Sequence, residues 1–404
     1  MFTDTQLDKY AKVLIWGMRK ARTKQFSKGD VVLLRTDKSA LPLADKVFQK
    51  LLELGLNPVV RINLPEDMEK TFFTHASDEQ ITFKVPGDEE LYNHLNGLIS
   101  LLGPESLTHL KDIDPSRIGK LAVAKKYLRD ILEKRENQGD FGWTLCLYPT
   151  QELASKAGLS FEEYTEQVIK AVYLDHDDPC SDWERVYNLA QEVKDWLNSL
   201  EVEYFHVLSE NTDMKVYQGE MRRWLGVSGH NIPSFELFLS PDYRYTEGVY
   251  FADQPSYRSG NVVRGVRLEF KEGQVIDVKA EEGEEFVRKQ LNMDRGASFL
   301  GEFSLTDKRF SRISKFMAHT LYDENFGGEF GNCHVAVGAS YADTYAGDPK
   351  ELTPEKKKEL GFNDSALHWD LVNTEAKVVY AYLKNKERVT IYENGKFLMD
   401  GLED

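Results

Sequence analysis

The chain has 404 residues, of which 41% are hydrophobic and 12% aromatic, more than one hydrophobic core usually supports, so two domains are expected. Its 67 acidic residues against 51 basic ones leave a net charge of −16, which repels phosphate backbones and anionic lipid; neither nucleic acid nor a membrane is an expected partner. Cys146, Cys180 and Cys333 are far apart and odd in number, which excludes a disulfide framework and a Cys-x-x-Cys metal site.

The opening Met1-Phe-Thr-Asp-Thr-Gln-Leu7 has no basic stretch leading into an apolar core, and no run approaches the roughly 18 apolar residues of a membrane span, so a reducing cytoplasm is the expected compartment. Leu7, Tyr10, Ala11, Leu14, Ile15 and Met18 share one stripe of a helix over residues 5–22. A short strand over 31–34, a helix over 41–54 stopped by Gly55, and a strand over 58–62 make a βαβ unit. The first strand runs into Thr36-Asp-Lys-Ser-Ala40 without the glycines a pyrophosphate site needs, so no dinucleotide is expected. Helical patterns near 88–102, 160–173 and 181–199, with a strand over 143–148, complete an α/β domain with a mainly parallel sheet, placed at 1–215.

From about residue 216 strands dominate. Residues 245–251, 262–270 and 274–280 read as strands, the last two joined at Lys271-Glu-Gly273; 378–383, 388–392 and 396–399 repeat the pattern, with a type I′ turn signal at Asn394-Gly395. The expectation for 216–404 is an α+β, metal-binding catalytic domain with a curved or barrel-like antiparallel sheet.

That half also carries Glu236, Glu302, Glu324, His334, His368 and Asp370. Carboxylate oxygen and imidazole nitrogen without thiolate suit two divalent ions held for hydrolysis, zinc or cobalt first, with manganese or magnesium as alternatives. His368-Trp-Asp370 places imidazole and carboxylate on one face of an extended segment, since residues i and i+2 point the same way. His334 precedes the apolar Val335-Ala-Val-Gly338, which holds its ring, and Tyr341 follows seven residues after it. Gly301 before Glu302 permits a close backbone approach to the metals. Taken singly, each residue has a plainer reading, as a solvent-facing acid, a core histidine or a packed tyrosine.

Their neighbours form five motifs in order: Asn231-Ile-Pro-Ser-Phe-Glu236, Leu300-Gly-Glu302, Tyr322-Asp-Glu-Asn325, Cys333-His-Val-Ala-Val-Gly-Ala-Ser-Tyr341 and Asn363-Asp-Ser-Ala-Leu-His-Trp-Asp370. Trp143-Thr-Leu145 and Asn211-Thr-Asp213 add matching pieces in the first half. The chain thereby resembles the aminopeptidase T and aminopeptidase S family of dinuclear metallo-aminopeptidases. The resemblance implies that Glu236 and Glu302 are the two essential glutamates, that His334 binds metal, and that Tyr341 lies in the active site. It also implies a homodimer with its active sites in an internal cavity, acting on peptides with a free N-terminus.

Three alternatives stay open. The remaining acidic ligand is Glu324 by motif, but Glu329 stands five residues before His334 where Glu324 stands ten before it. Glu302 is either a bridging ligand or the base that takes a proton from water, with Asp370 a further bridging candidate. The rival functions are a dinuclear hydrolase of non-peptide amides or esters, and a metal-binding dimer without turnover. His319 is read as structural, and His230 and Glu247 receive no role.

Overall fold

A computed structural model describes residues 1–258 and 261–402. Two compact units emerge, Met1–Trp183 with Ser228–Pro233, and Glu184–Val227 with the chain from Ser234 onward.

In the first unit five strands form one parallel sheet in the order Asn57–Ile62, Val31–Thr36, Leu95–Leu102, Gly142–Leu147, Asn231–Ile232. The first helix, Asp4–Lys20, starts at a capping box in which Thr3 and Gln6 satisfy each other's backbone N–H groups. It buries Tyr10, Leu14 and Met18, the apolar stripe its sequence displays. The helix expected over 88–102 ends instead at His94, and Leu95–Leu102 is a strand between two parallel neighbours. Spacing alone was ambiguous for this short apolar run; the tertiary slot decides it, burying Leu95, Gly97, Ile99 and Leu101 alternately. A Cβ on Gly97 would meet the Met18 sulfur at 2.6 Å.

Doubly wound sheets bind ligands at the carboxyl ends of their strands. Here Asp37, just past the Val31–Thr36 strand, accepts from Gly103 N–H at 2.7 Å and Asn63 Nδ2 at 2.6 Å, so the chain's own hydrogen bonds occupy that position.

The second unit holds an eight-stranded and a four-stranded antiparallel sheet, with a two-stranded ribbon of Ser256–Arg258 and Asn261–Val263, and among the described residues none of them closes into the expected barrel. The eight-stranded sheet runs Gln274–Lys279, Val266–Lys271, Glu247–Ala252, Asp213–Tyr217, Val202–Leu208, Val378–Leu383, Arg388–Glu393, Lys396–Phe397. Its outermost strands do not pair with each other among the described residues. Closure is one way for a sheet to bury a face, and packing on a second sheet is another. This sheet takes the second way: Phe205 meets Phe303 of the four-stranded sheet at 5.5 Å between ring centroids, and Tyr250 Oη donates to the carbonyls of Cys333 and Leu371. Both expected hairpins are present, each with a two-residue loop, with φ of 49° and 77° at Glu272-Gly273 and 49° and 83° at Asn394-Gly395, the left-handed pair a type I′ turn requires. No helix among the described residues is long and apolar enough to cross a membrane.

Candidate metal centre

The site is built on the four-stranded sheet, ordered His368–Asn373, Asn332–Gly338, Leu300–Thr306, Glu236–Leu239. Side chains alternate between faces with period two. The odd-numbered set, Val335, Val337, Phe303, Leu305, Leu371, Leu237 and Leu239, is buried and apolar. The alternate set carries His334, Ala336, Glu302, Ser304, His368, Asp370 and Glu236. Register aligns them: Glu302 and Asp370 both pair with Ala336, from opposite sides, and His368 pairs with Gly338. Alanine and glycine at the centre leave the room that larger side chains would fill.

One bulge makes this register possible. Pairing slips between Leu300 and Glu302, and a Cβ on Gly301 would lie 2.3 Å from the Ala339 carbonyl oxygen and 2.5 Å from that of Gly338. Gly301 thus admits the neighbouring backbone of Gly338 and Ala339, and the extra residue re-aims Glu302 onto the polar face.

The acids and imidazoles converge there. His334 Nε2 lies 3.1 Å from Glu302 Oε1 and 3.2 Å from Glu236 Oε2, and one ligand atom from each of Glu236, Glu302 and His334 fits within 4.8 Å. On the other side His368 Nε2 lies 3.6 Å from Glu302 Oε2 and 3.3 Å from Asp370 Oδ1. The two oxygens of Glu302 therefore face different histidines. Glu324 enters from the end of the short helix Thr320–Asp323, and its carboxyl is repelled by Glu236, Asp370 and Glu302. Glu329 is exposed, and its carbonyl accepts from Lys308 Nζ. The Tyr341 ring centroid sits 4.6 Å from that of His368.

Four carboxylates and two imidazoles in one buried cluster distort each other's proton affinities. Burial, then the Glu236 charge, raises the Glu302 carboxyl against the pull of His334. Burial and three neighbouring acids raise Glu324 well above the carboxylate range. Burial opposes charge on His334, but Glu236 and Glu302 outweigh it and push the imidazole well up. Burial likewise opposes charge on His368, yet Asp370 and Glu302 raise it to about 9, while His368 holds Asp370 low against the same desolvation. Burial and the four carboxylates lift Tyr341 far above an ordinary phenol, so its hydroxyl keeps its proton at neutral pH. Glu302 Oε2 is buried without a hydrogen bond. An unsatisfied carboxylate oxygen inside a net-negative pocket of oxygen and nitrogen donors fits a divalent cation.

Several supporting residues carried no assigned role in the sequence. Asn325 Oδ1 accepts from Phe235 N–H at 2.6 Å and Glu236 N–H at 3.0 Å, while its Nδ2 donates to the Leu321 carbonyl at 3.0 Å and reaches Glu324 Oε1 at 3.4 Å. One amide thereby ties the Glu236 strand to the Glu324 helix; its place inside Tyr322-Asp-Glu-Asn325 was the available signal. Ser304 Oγ reaches Glu236 Oε2 at 3.4 Å. The Ala339 carbonyl lies 2.9 Å from His368 Nδ1, the kind of partner that leaves the other ring nitrogen for a metal. Asn363, which opens the last motif, donates to the carbonyls of Gly296 and Gly338 and is structural. His319 caps Thr320–Asp323, its Nδ1 accepting from Leu321 N–H at 3.2 Å. Glu247 accepts from Glu272 N–H at the hairpin turn. His230 pairs with Glu136 in the first unit.

An antiparallel sheet with one apolar face and one face of convergent carboxylates and imidazoles defines a metal-dependent hydrolase class of site. Residues 3–397 match the family described as thermophilic metalloprotease (M29), and the chain belongs to that family, whose members hydrolyse peptide bonds. It is 27% identical to aminopeptidase 2 of Geobacillus stearothermophilus, over 98% of each chain, and 27% identical to aminopeptidase AmpS of Bacillus subtilis (strain 168), over 80% of this chain and 81% of that one. The solved structure of wild-type AmpT from Thermus thermophilus has the same fold, with a TM-score of 0.80 at 22% identity over 98% of this chain and 99% of that one.

Proposed function

We propose that this protein is an aminopeptidase that removes N-terminal amino acids from peptides using two divalent ions per subunit. The observation that carries this reading is Glu302, whose two carboxylate oxygens lie 3.1 Å from His334 Nε2 and 3.6 Å from His368 Nε2. A carboxylate so placed is suited to join two cation sites, one bounded by Glu236 and His334 and the other by His368 and Asp370, with Glu324 facing both. Charge supports the number: four carboxylates are balanced by two divalent cations and not by one. Divalent ions held there supply Lewis acidity, lowering the pKa of a water and polarising the scissile carbonyl.

The chain's own groups do the rest. Glu302 faces both imidazoles, Asp370 lies against His368, and either carboxylate can serve as a bridging ligand. Tyr341 keeps a proton on its hydroxyl and offers it to the oxyanion that develops as the carbonyl is attacked. The excess of acids attracts the free α-ammonium of a substrate and disfavours an acetylated one. Zinc or cobalt suits the mixed oxygen and nitrogen set, and the family resemblance and the three cysteines without a disulfide extend the proposal to a homodimer in a reducing cytoplasm.

Chelation of the purified protein is expected to abolish hydrolysis of leucyl peptides, and added zinc or cobalt to restore it. Full activity after verified metal removal, or equal turnover of N-acetylated peptides, rejects the proposal.

A further inference from the structure

A cavity of about 500 Å³ in the second unit borders the segment Ala339–Ala342, which also carries Tyr341. Small-molecule sites commonly have this size. Ala339 is one wall of it, and the carbonyl of the same residue holds His368. Ser340 and Ala342, the two neighbours of Tyr341, line it as well. The cavity and the proposed reaction site therefore share one backbone segment, Ala339–Ala342.

Its chemistry is of two kinds. Tyr243 and Phe299 supply an aromatic wall, their rings edge to face at 5.1 Å. Phe362 adds a third ring, and the Arg222 guanidinium lies 3.5 Å from its centroid. At the mouth stand Arg295, Lys357 and Lys358, all exposed. The two lysines lie on the helix Pro354–Glu359, where Lys356 is the lysine that pairs with Glu359. None of the three mouth cations makes an ion pair or side-chain hydrogen bond among the described residues, and Asp364 is the one carboxylate lining the cavity. In a chain of net charge −16, three unpaired cations around an apolar hollow are a local reversal of sign.

We propose that this cavity binds the carboxylate end of short peptide substrates, with the aromatic wall holding an apolar side chain and Arg295, Lys357 and Lys358 holding the carboxylate. The proposal rests on the aminopeptidase reading and adds the substrate class: short peptides with a free C-terminal carboxylate are held at both ends, the amine by the acidic cluster and the carboxylate by this basic rim. Exposed ion pairs each contribute a factor of roughly 1.4 to 5, so three acting together give a preference of about tenfold.

The test uses the full-length, metal-loaded protein and the peptide D-Leu-Gly-Phe, whose D-residue resists turnover, as free acid and as C-terminal amide. Calorimetric affinity is expected to favour the acid by about tenfold, and the triple variant Arg295→Ala, Lys357→Ala, Lys358→Ala to bring the ratio close to one. D-Leu-Asp-Phe amide, which keeps the phenyl ring and carries its carboxylate on a side chain, distinguishes the source of the charge: binding as weak as the D-Leu-Gly-Phe amide supports the terminal carboxylate, and binding as tight as the acid overturns that assignment. Equal affinity for acid and amide in the unmodified protein, or a preference that survives the triple variant, overturns the proposal. Hydrolysis of L-Leu-Gly-Phe is scored separately, so a protein that prefers the acid but never cleaves the L-peptide would refute the aminopeptidase reading and leave the carboxylate site standing.

Discussion

Asn325→Ala is the most informative perturbation, because one buried amide holds two of the proposed ligands. The side chain is fully buried and makes three hydrogen bonds to main chain, accepting from Phe235 and Glu236 N–H and donating to the Leu321 carbonyl. Truncation leaves two buried donors and one acceptor unpaired, each costing about 1–3 kcal/mol, and partial rehydration keeps the sum near about 4 kcal/mol. For a unit of this size about 1 kcal/mol shifts Tm by 2–4 °C, so the unit containing the metal site is expected to melt about 8–16 °C lower. Release of the strand that starts at Glu236 also loosens that carboxylate, so zinc affinity is expected to fall by more than tenfold. Asn325→Asp keeps the acceptor for both N–H groups and separates the clamp from simple cavity formation: it should preserve the register of Glu236, while its new charge beside Glu324 lowers stability. Differential scanning calorimetry and zinc titration measure the two effects. A Tm within 3 °C of the unmodified protein together with unchanged zinc affinity would refute the argument that this amide holds the site together.

His368→Ala is expected to lower metal occupancy, whereas Tyr341→Phe is expected to leave metal bound and lower kcat by about 10²- to 10³-fold, the usual loss for an oxyanion donor; metal loss in the tyrosine variant would reassign its role. Glu324→Gln should cost metal affinity and activity, since its carboxyl faces Glu236, Glu302 and Asp370, while Glu329→Gln, exposed and outside the cluster, should be nearly silent by metal titration. Without metal the neighbouring carboxylates raise the proton affinity of both imidazoles, that of His368 to about 9, so metal must compete with protons for them. Apparent zinc affinity is therefore expected to climb with pH from 6 to about 9, with at least one proton released per ion by calorimetry in buffers of different ionisation enthalpy. A flat profile would show that the histidines are not ligands.

The sequence alone determined the features that depend on local chemistry. His368 and Asp370 share a face because alternate residues of any strand do, and Glu272-Gly273 and Asn394-Gly395 turn the chain because few residue pairs tolerate two left-handed conformations in succession. The first βαβ unit was legible because its apolar periodicities are long and cleanly punctuated by Gly55. Residue types and motif order were enough to recognise the family and to put Glu324 ahead of Glu329. Only tertiary structure decided where Leu95–Leu102 runs, since its spacing suits a helix as well as a strand until parallel neighbours claim its backbone hydrogen bonds. Only tertiary structure laid Glu236, Glu302, His334 and His368 on one sheet face, because register across strands depends on a bulge at Gly301 and on close approach to the Ala339 carbonyl, contacts between residues 38 apart in sequence. The second unit stays open rather than closing into a barrel for the same reason: whether a sheet buries its apolar face on itself or on a partner sheet is set by packing between distant strands, and alternation along each strand is identical in both cases.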